Sequence, residues 1–140
     1  PESIAALEES ELVRIGSGYR APYIKKSAAI IAGGYQLEKL RDMPLDIARK
    51  ELLKFPGVGP KVADCVLLFG LGHTDAFPVD VWIGRAMSEI YFDGESPKKK
   101  QLEAAIRALG SESGIVQQYI FHYARQTALG KKRQGKTKTQ

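Results

Sequence analysis

The sequence holds a single cysteine and no long apolar run. Because Cys65 is the only cysteine among 140 residues, the chain by itself can form neither an internal disulfide nor a four-cysteine zinc or iron–sulfur site. No segment approaches the roughly 18 consecutive apolar residues of a membrane span, and the N-terminus lacks the basic-then-apolar pattern of a signal peptide. We therefore expect a soluble, unexported protein of a reducing intracellular compartment, with no membrane partner.

The chain carries a net positive charge, and its length is sufficient for one hydrophobic core. The chain has 21 Lys and Arg against 16 Asp and Glu, which gives a formal net charge of +5. An excess of positive charge favours binding to polyanions such as nucleic acid. With 140 residues and 44% hydrophobic residues, the chain is long enough for one sizeable hydrophobic core.

Apolar residues recur at helical spacing, and no strand-like alternation or internal repeat is present. The predicted helices cover residues 4–15, 22–32, 46–54, 61–71, a segment from Asp80 to Ile90, 97–109 and 111–129. The helix over 61–71 is apolar almost all round, which is typical of a helix buried at the centre of a domain. We predict an all-α fold, with one domain over residues 1–129 and a flexible basic tail over residues 130–140.

A six-residue segment, 55–60, separates two predicted helices and indicates a tight hairpin between them. Its Gly57-x-Gly59 pair has no Cβ atoms, so the backbone amides at the start of the next helix can approach a phosphate closely. The two glycines are equally explained by closure of a helix–helix turn. Further along, Asp80 precedes an apolar helical segment and is expected to cap it.

The string from Leu53 to Ala63, followed about 20 residues later by Pro78-Val79-Asp80, resembles the helix-hairpin-helix Gly/Pro…Asp superfamily of DNA glycosylases. Within it, Lys61-Val62-Ala63-Asp64-Cys65 and the segment 76–81 are most similar to the 8-oxoguanine DNA glycosylases. The resemblance extends from about Leu12 to Arg125. It implies a helix-hairpin-helix glycosylase core, with the hairpin unit over about residues 46–71.

The resemblance also implies the catalytic pair. In this family the lysine at the position of Lys61 attacks the anomeric carbon and forms a Schiff base, which permits β-elimination and strand cleavage. The aspartate at the position of Asp80 stabilises the positive charge that develops on the sugar. Without the resemblance, a solvated lysine at a helix start and a plain N-cap would explain the same two residues.

A base can be excised only after it has been flipped out of the duplex into a pocket. Residues implied to line that pocket by similarity to the family are Cys65, Phe69, Pro78, Gln117 and Phe121. Gln117 and Phe121 are spaced i, i+4 and share a helical face; the glutamine is expected to hydrogen-bond the purine and the phenylalanine to stack on it. Ordinary core packing is the alternative for Phe69, Phe121 and Cys65.

Other residues are implied to hold the duplex. Gly18-Tyr19-Arg20-Ala21 resembles the family segment in which the tyrosine fills the gap left by the flipped base and the arginine contacts the orphan cytosine. A tyrosine packed on the turn and a solvated arginine are the alternative. The phosphate contacts are assigned to Gly57, Val58, Gly59 and Val62. Trp82 departs from the family, because relatives commonly have a phosphate-binding histidine there; that contact is replaced by stacking or lost.

The chemistry implied by the resemblance requires no cofactor, and we expect no iron–sulfur cluster. The backbone carbonyls of Leu53, Phe55 and Val58 are candidates to hold a cation that bridges to phosphate.

The leading hypothesis is a monomeric glycosylase with β-lyase activity that removes 8-oxoguanine from double-stranded DNA. A non-catalytic DNA-binding module and a related glycosylase for another lesion remain open. The family's N-terminal sheet domain has no counterpart in the sequence and the chain begins without methionine, so we expect a fragment that lacks this domain. The expected location is the cytoplasm or nucleoid of a prokaryote, or the nucleus of a eukaryote.

Overall fold

The computed structural model describes residues 1–127 and Leu129. These residues form helices and connecting turns, and none of them forms a β-strand, which confirms the predicted all-α class. Within this part of the chain no helix is long and apolar enough to cross a membrane. The tail predicted over residues 130–140 lies outside the described residues.

The described chain divides into two compact units, residues 1–73 and the residues from Thr74 onward. The α-helices of the first unit are α1 (Glu2–Ala6), α2 (Glu9–Leu12), α3 (Ala21–Ala32), α4 (Leu45–Leu52) and α5 (Pro60–Cys65). An irregular turn with Gly16 at φ +98° follows α2 over Val13–Ser17, and a single π-helical turn follows α5 over Val66–Gly70. Two 3-10 turns cover Gly18–Arg20 and Leu37–Asp42. The predicted helices over 22–32 and 46–54 correspond to α3 and α4.

The predicted helix over residues 4–15 is wrong in one respect, because the chain forms two short helices there. Leu7 is extended, with φ −66° and ψ 148°, and the extended Glu8 is the N-cap of a new helix that begins at Glu9. The Glu8 amide donates to the Glu11 carboxylate at 3.0 Å, which caps α2. A local cap therefore interrupts a hydrophobic pattern that is continuous in the sequence.

The expectation that the helix over 61–71 is buried on all sides is also wrong. Only one face of it is buried, the face that packs towards α4 and carries Ala63, Asp64, Leu67, Leu68 and Leu71. Lys61, Val62 and Phe69 are exposed, and the Phe69 side chain is 63% exposed. A helix that is apolar on all sides is still buried only on the side against which another element packs.

An ion pair joins the two helices of the hairpin. The Arg49 Nε of α4 donates to the Asp64 Oδ1 of α5 at 2.6 Å. Asp64 is the only charged residue that is buried among those described. Burial raises the pKa of the Asp64 carboxyl above its usual value of 3.8, and the hydrogen bond and charge of Arg49 oppose that rise.

The second unit contains α6 (Val81–Tyr91), α7 (Lys99–Ala108), a 3-10 turn over Gly110–Glu112, and α8 (Ser113–Gln126). Its core is formed by α6, α8 and Phe77, with these buried residues: Phe77, Ile83, Ala86, Met87, Ile120 and Ala124. The predicted helices over 97–109 and 111–129 correspond to α7 and α8, and α8 ends at Gln126. After it, Thr127 Oγ1 donates to the Tyr123 carbonyl at 2.8 Å.

The segment that precedes α6 is fastened to the start of α8. The Gly114 amide donates to the Thr74 carbonyl at 2.7 Å, and Ser113 Oγ donates to the Asp75 carbonyl at 3.1 Å. Because α8 donates hydrogen bonds to the backbone carbonyls of this irregular segment, the conformation of the segment depends on α8.

The Arg49–Asp64 pair yields a stability prediction. Arg49→Met leaves a buried carboxylate without its partner and should lower the free energy of unfolding by about 2–3 kcal/mol at pH 7, a little below the usual range because Arg49 is 31% exposed. Asp64→Asn keeps an oxygen acceptor and removes the buried charge, so it should cost at most about 1 kcal/mol. Urea unfolding of the full chain measures both.

The pH dependence of the two variants should differ in sign. A raised pKa in the folded protein means that the contribution of Asp64 to stability falls as the pH rises from 3.8 through the folded pKa. The cost of Asp64→Asn should therefore shrink over that rise, and the cost of Arg49→Met should grow. The exposed Lys54–Glu51 pair is a matched control, and Lys54→Met should cost about 0.5 kcal/mol or less. Equal costs for the two main variants, with the same pH trend, would contradict the assignment.

Candidate functional site

The turn between α4 and α5 can accommodate only glycine at position 57. Gly57 has φ +74°, and a Cβ atom there would lie 2.5 Å from Cδ2 and 2.6 Å from Cγ of Tyr23. The conformation and the neighbouring ring both exclude a side chain. Gly59 is extended and caps α5, and Pro60 begins the helix with a fixed φ. The hairpin predicted from the Gly-x-Gly pair is present.

The first turn of α5 offers unused backbone amides. Lys61 and Val62 lie where the helix supplies no acceptor for their N–H groups, and both residues are exposed. The Val58 amide, by contrast, donates to the Phe55 carbonyl at 3.1 Å. Amides at a helix start can bind a phosphate oxygen without reading the base sequence.

The Phe55 carbonyl is thus already a hydrogen-bond acceptor within the predicted cation site, and the cation at the carbonyls of Leu53, Phe55 and Val58 stays a prediction. Among the described residues, no group of three or more His, Cys, Asp or Glu side chains is placed to hold a metal ion.

A groove of about 620 Å³ in the first unit brings five of the predicted DNA-contacting residues together. They are Tyr19, Arg20, Gly57, Val58 and Val62. The groove walls are mostly apolar, and they come from α1, α3 and the hairpin. Gly57 and Val58 of the hairpin thus share a surface with the Tyr19-Arg20 pair, although nearly 40 residues separate them in the sequence.

Tyr19 is the most prominent side chain at this groove. Its side chain is 73% exposed, and the Arg20 guanidinium lies 4.6 Å from the centre of its ring. Gly16 and Gly18 hold the preceding turn with φ values of +98° and +53°. The turn thus presents an aromatic ring and a cation to solvent, in contrast to a tyrosine packed on its own turn.

The predicted nucleophile and two predicted pocket residues lie on α5 and its continuation. Lys61 is the second residue of α5 and is exposed; Cys65, one turn later, is half-buried and has a free thiol. Phe69 projects into solvent from the π-helical turn. Nothing in the packing of Phe69 requires an aromatic ring, so core packing does not explain it.

Asp80 is the N-cap of α6, as predicted. Its Oδ1 accepts a hydrogen bond from the Ile83 amide at 2.8 Å, and the residue is half-buried. The cap holds the carboxylate in one orientation at the positive end of a helix. Trp82 lies in the first turn of the same helix and is half-buried. Lys61 belongs to the first unit and Asp80 to the second.

Gln117 of α8 is buried, with 5% of its surface exposed. Its Nε2 donates to the carbonyl of Pro78 at 2.9 Å, and the Gln118 Nε2 donates to its Oε1. The sequence indicated Gln117 and Pro78 as separate pocket residues; the structure joins them by a hydrogen bond. Gln118 was missed, because adjacent residues of a helix point in different directions and no spacing rule connects them.

Phe121, one turn after Gln117, packs against the core cluster of the second unit and is half-buried. Its ring lies 5.8 Å from the Arg125 guanidinium. One side of the Phe121 ring packs against the core. The predicted stacking on a base would use the part of the ring that remains exposed. Arg125 was not identified from the sequence as a neighbour of Phe121, although the i, i+4 spacing allows the contact.

A family model described as "HhH-GPD superfamily base excision DNA repair protein" matches residues 1–112. The chain is 43% identical over 120 residues to a probable N-glycosylase/DNA lyase of Methanothermobacter thermautotrophicus, a match that covers 86% of this chain and 38% of the relative.

Solved structures are similar over most of the chain. The structure of the Clostridium acetobutylicum 8-oxoguanine glycosylase/lyase, in complex with double-stranded DNA containing cytosine opposite 8-oxoguanine, superposes with a TM-score of 0.81 at 36% identity. That match covers 91% of this chain and 44% of the other. The 3-methyladenine DNA-glycosylase of Archaeoglobus fulgidus gives a TM-score of 0.72 at 30% identity, covering 91% and 43%.

The chain therefore spans less than half the length of these three relatives. The helix-hairpin-helix with glycines at 57 and 59, the lysine that begins α5 and the aspartate that caps α6 all lie within the matched residues 1–112. The chain belongs to the HhH-GPD superfamily of base excision DNA repair proteins.

Proposed function

We propose that the protein is a DNA glycosylase with associated lyase activity, which removes 8-oxoguanine from double-stranded DNA through a Schiff base at Lys61. The observation that carries the proposal is the exposed lysine at the start of α5, directly after a hairpin whose geometry admits only glycine at position 57. The relatives named N-glycosylase/DNA lyase and 8-oxoguanine glycosylase/lyase support it.

The proposed reaction begins with attack of the neutral Lys61 amine on C1′ of the damaged nucleotide. A bond forms between Nζ and C1′, the glycosidic bond breaks, and the base leaves with a proton. Ring opening at O4′ produces the Schiff base. Loss of a proton from C2′ then breaks the C3′–O bond and cleaves the strand, and water releases the lysine.

Asp80 is proposed to stabilise the positive charge that develops on the sugar. Its carboxylate is fixed by the Ile83 amide, so it needs no reorganisation when the charge appears. One side chain thereby serves as helix cap and as electrostatic partner of the sugar.

The groove in the first unit is proposed to bind the duplex. The amides of Lys61 and Val62 in the first turn of α5 suit phosphate oxygens, and the exposed Tyr19 ring suits the gap left by a flipped base. Arg20 presents the guanidinium for the orphan base. The partner is double-stranded DNA containing oxidised guanine, and repair of a genome implies the compartment that holds it, the nucleoid or the nucleus.

The proposed chemistry requires no cofactor, since the amine and the carboxylate belong to the chain. A cation at the carbonyls of Leu53, Phe55 and Val58 would serve to bridge the hairpin to a phosphate. The likeness to a 3-methyladenine DNA-glycosylase favours a second candidate, a glycosylase acting on an alkylated purine.

Borohydride trapping tests the proposed function. The wild-type protein should form a covalent adduct with duplex DNA carrying 8-oxoguanine opposite cytosine, since borohydride reduces the Schiff base. Lys61→Gln should lose the adduct completely and still bind the duplex, because the backbone amides in the first turn of α5 remain. Denaturing gel electrophoresis measures the adduct, and fluorescence anisotropy measures binding.

Lys54→Gln is the matched control, since Lys54 lies at the other end of the same hairpin, is exposed and pairs with Glu51. This variant should trap as the wild type does. A wild-type protein that binds the duplex and traps neither 8-oxoguanine nor abasic DNA would be a binding module. Trapping on a duplex with 3-methyladenine and not on 8-oxoguanine would favour the second candidate.

Two substitutions separate the structural and electrostatic roles of Asp80. Asp80→Asn retains a capping oxygen, so the free energy of unfolding should change by a few tenths of a kcal/mol. The loss of charge should slow base excision by about 10²–10³-fold. Asp80→Ala should lose the activity and about 1 kcal/mol of stability. Single-turnover excision measures the effect on activity, and urea unfolding measures the effect on stability. If the Asp80→Asn protein is fully active, Asp80 serves only as a helix cap.

A further inference from the structure

Tyr23 of α3 lines the groove of the first unit together with Tyr19 and residues of the hairpin. It is the third residue of α3, and its side chain is 42% exposed. The Tyr23 ring also lies against the hairpin, because a Cβ atom added at Gly57 would come within 2.6 Å of two ring atoms. The ring therefore belongs both to the groove and to the contact between α3 and the hairpin.

The backbone of Tyr23 is continuous with the turn that carries Tyr19. The 3-10 turn Gly18–Arg20 leads directly into α3, and the Ala21 amide donates to the Gly18 carbonyl. Ala21 is completely buried, which anchors this junction. Because only about one helical turn separates Tyr19 from Tyr23, a displacement of one residue also displaces the other.

The chain between Gly57 and Lys61 is equally short and has little freedom. Gly59 caps α5, and its carbonyl accepts the first helical hydrogen bond, from the Ala63 amide at 2.9 Å. Pro60 has a fixed φ at the first position of the helix. A displacement of Gly57 is therefore transmitted to Lys61, four residues later.

We propose that Tyr23 is a positioning residue, whose ring sets the distance between the turn that carries Tyr19 and the hairpin that leads to Lys61. This inference rests on the proposed function, in which Tyr19 fills the gap left by the flipped nucleotide and Lys61 attacks the sugar of that nucleotide. The reacting atoms must approach to about 3–3.5 Å, so the spacing between the two groups has to match the DNA. Tyr23 acts through Gly57 and needs no contact with the DNA.

The test compares two reactions of the same protein, single-turnover excision of 8-oxoguanine and strand cleavage at a preformed abasic site, both at saturating protein. Tyr23→Ala removes the ring that lies against Gly57 and should slow excision by about 10- to 100-fold, since attack on an intact nucleotide depends on its placement. Abasic cleavage should slow far less, because the aldehyde of the opened sugar is not held in one orientation by pairing and stacking.

Tyr23→Phe keeps the ring and removes only the hydroxyl, so it should retain the wild-type ratio of excision to abasic cleavage. Ile30→Ala is the matched control, because Ile30 lies on the same helix, is 37% exposed and is outside the groove. It should also retain the ratio. A merely structural role of Tyr23 would lower the amount of folded protein and both rates together, and would leave the ratio unchanged.

A double-mutant cycle tests the contact with Gly57 itself. In the wild-type background the new Cβ atom of Gly57→Ala meets the Tyr23 ring and should displace the hairpin, so excision should slow. In the Tyr23→Ala background the ring is absent, and the same substitution should slow excision about tenfold less. The cost of the positive φ at Gly57 is common to both backgrounds and cancels in the comparison.

Three results would overturn the inference alone. They are an unchanged ratio in Tyr23→Ala, a Tyr23→Phe protein as impaired as Tyr23→Ala, and an equal effect of Gly57→Ala in both backgrounds. If Gly57→Ala does not fold, the two Tyr23 variants decide. A wild-type protein that excises no 8-oxoguanine would overturn the proposed function and the inference with it.

Discussion

The turn at Gly57 is the constraint on which the first unit depends. The chain must reverse between α4 and α5 with a positive φ at a point where the Tyr23 ring leaves no room for a Cβ atom. That close approach sets the hairpin against α3, and the Arg49–Asp64 ion pair joins the two helices on their buried side. The position of Lys61, two residues after Gly59, follows from these contacts, as does the exposure of the amides in the first turn of α5.

In the second unit, backbone carbonyls and amides orient the polar side chains of the candidate site. Asp80 is oriented by the amide of Ile83, and Gln117 by the carbonyl of Pro78. Both contacts involve the irregular segment before α6, which is itself fastened to the start of α8 through Thr74 and Asp75. Because Asp80 and Gln117 make hydrogen bonds within the fold, their side chains are held in one orientation. Base recognition and charge stabilisation both need polar groups that are held in this way.

The sequence predicted the helical class, the hairpin and the Asp80 cap, because glycine, proline and aspartate have strong local conformational preferences. It did not predict the break at Glu8 or the exposure of Phe69, since both depend on a local cap or on which side of a helix has a neighbour. The resemblance assigned Gln117, but Gln118 and Arg49 became visible only with the contacts. Contacts between side chains distant in the sequence, or adjacent on a helix, leave no periodic signal.

The claim that Lys61 is the nucleophile is tested most directly by locating the covalent bond. The wild-type protein is trapped with borohydride on 8-oxoguanine DNA, digested with a protease, and the modified peptide is sequenced by mass spectrometry. The reduced sugar adduct is expected on Lys61 and on no other lysine. An adduct on Lys54, or on any lysine outside α5, would contradict it.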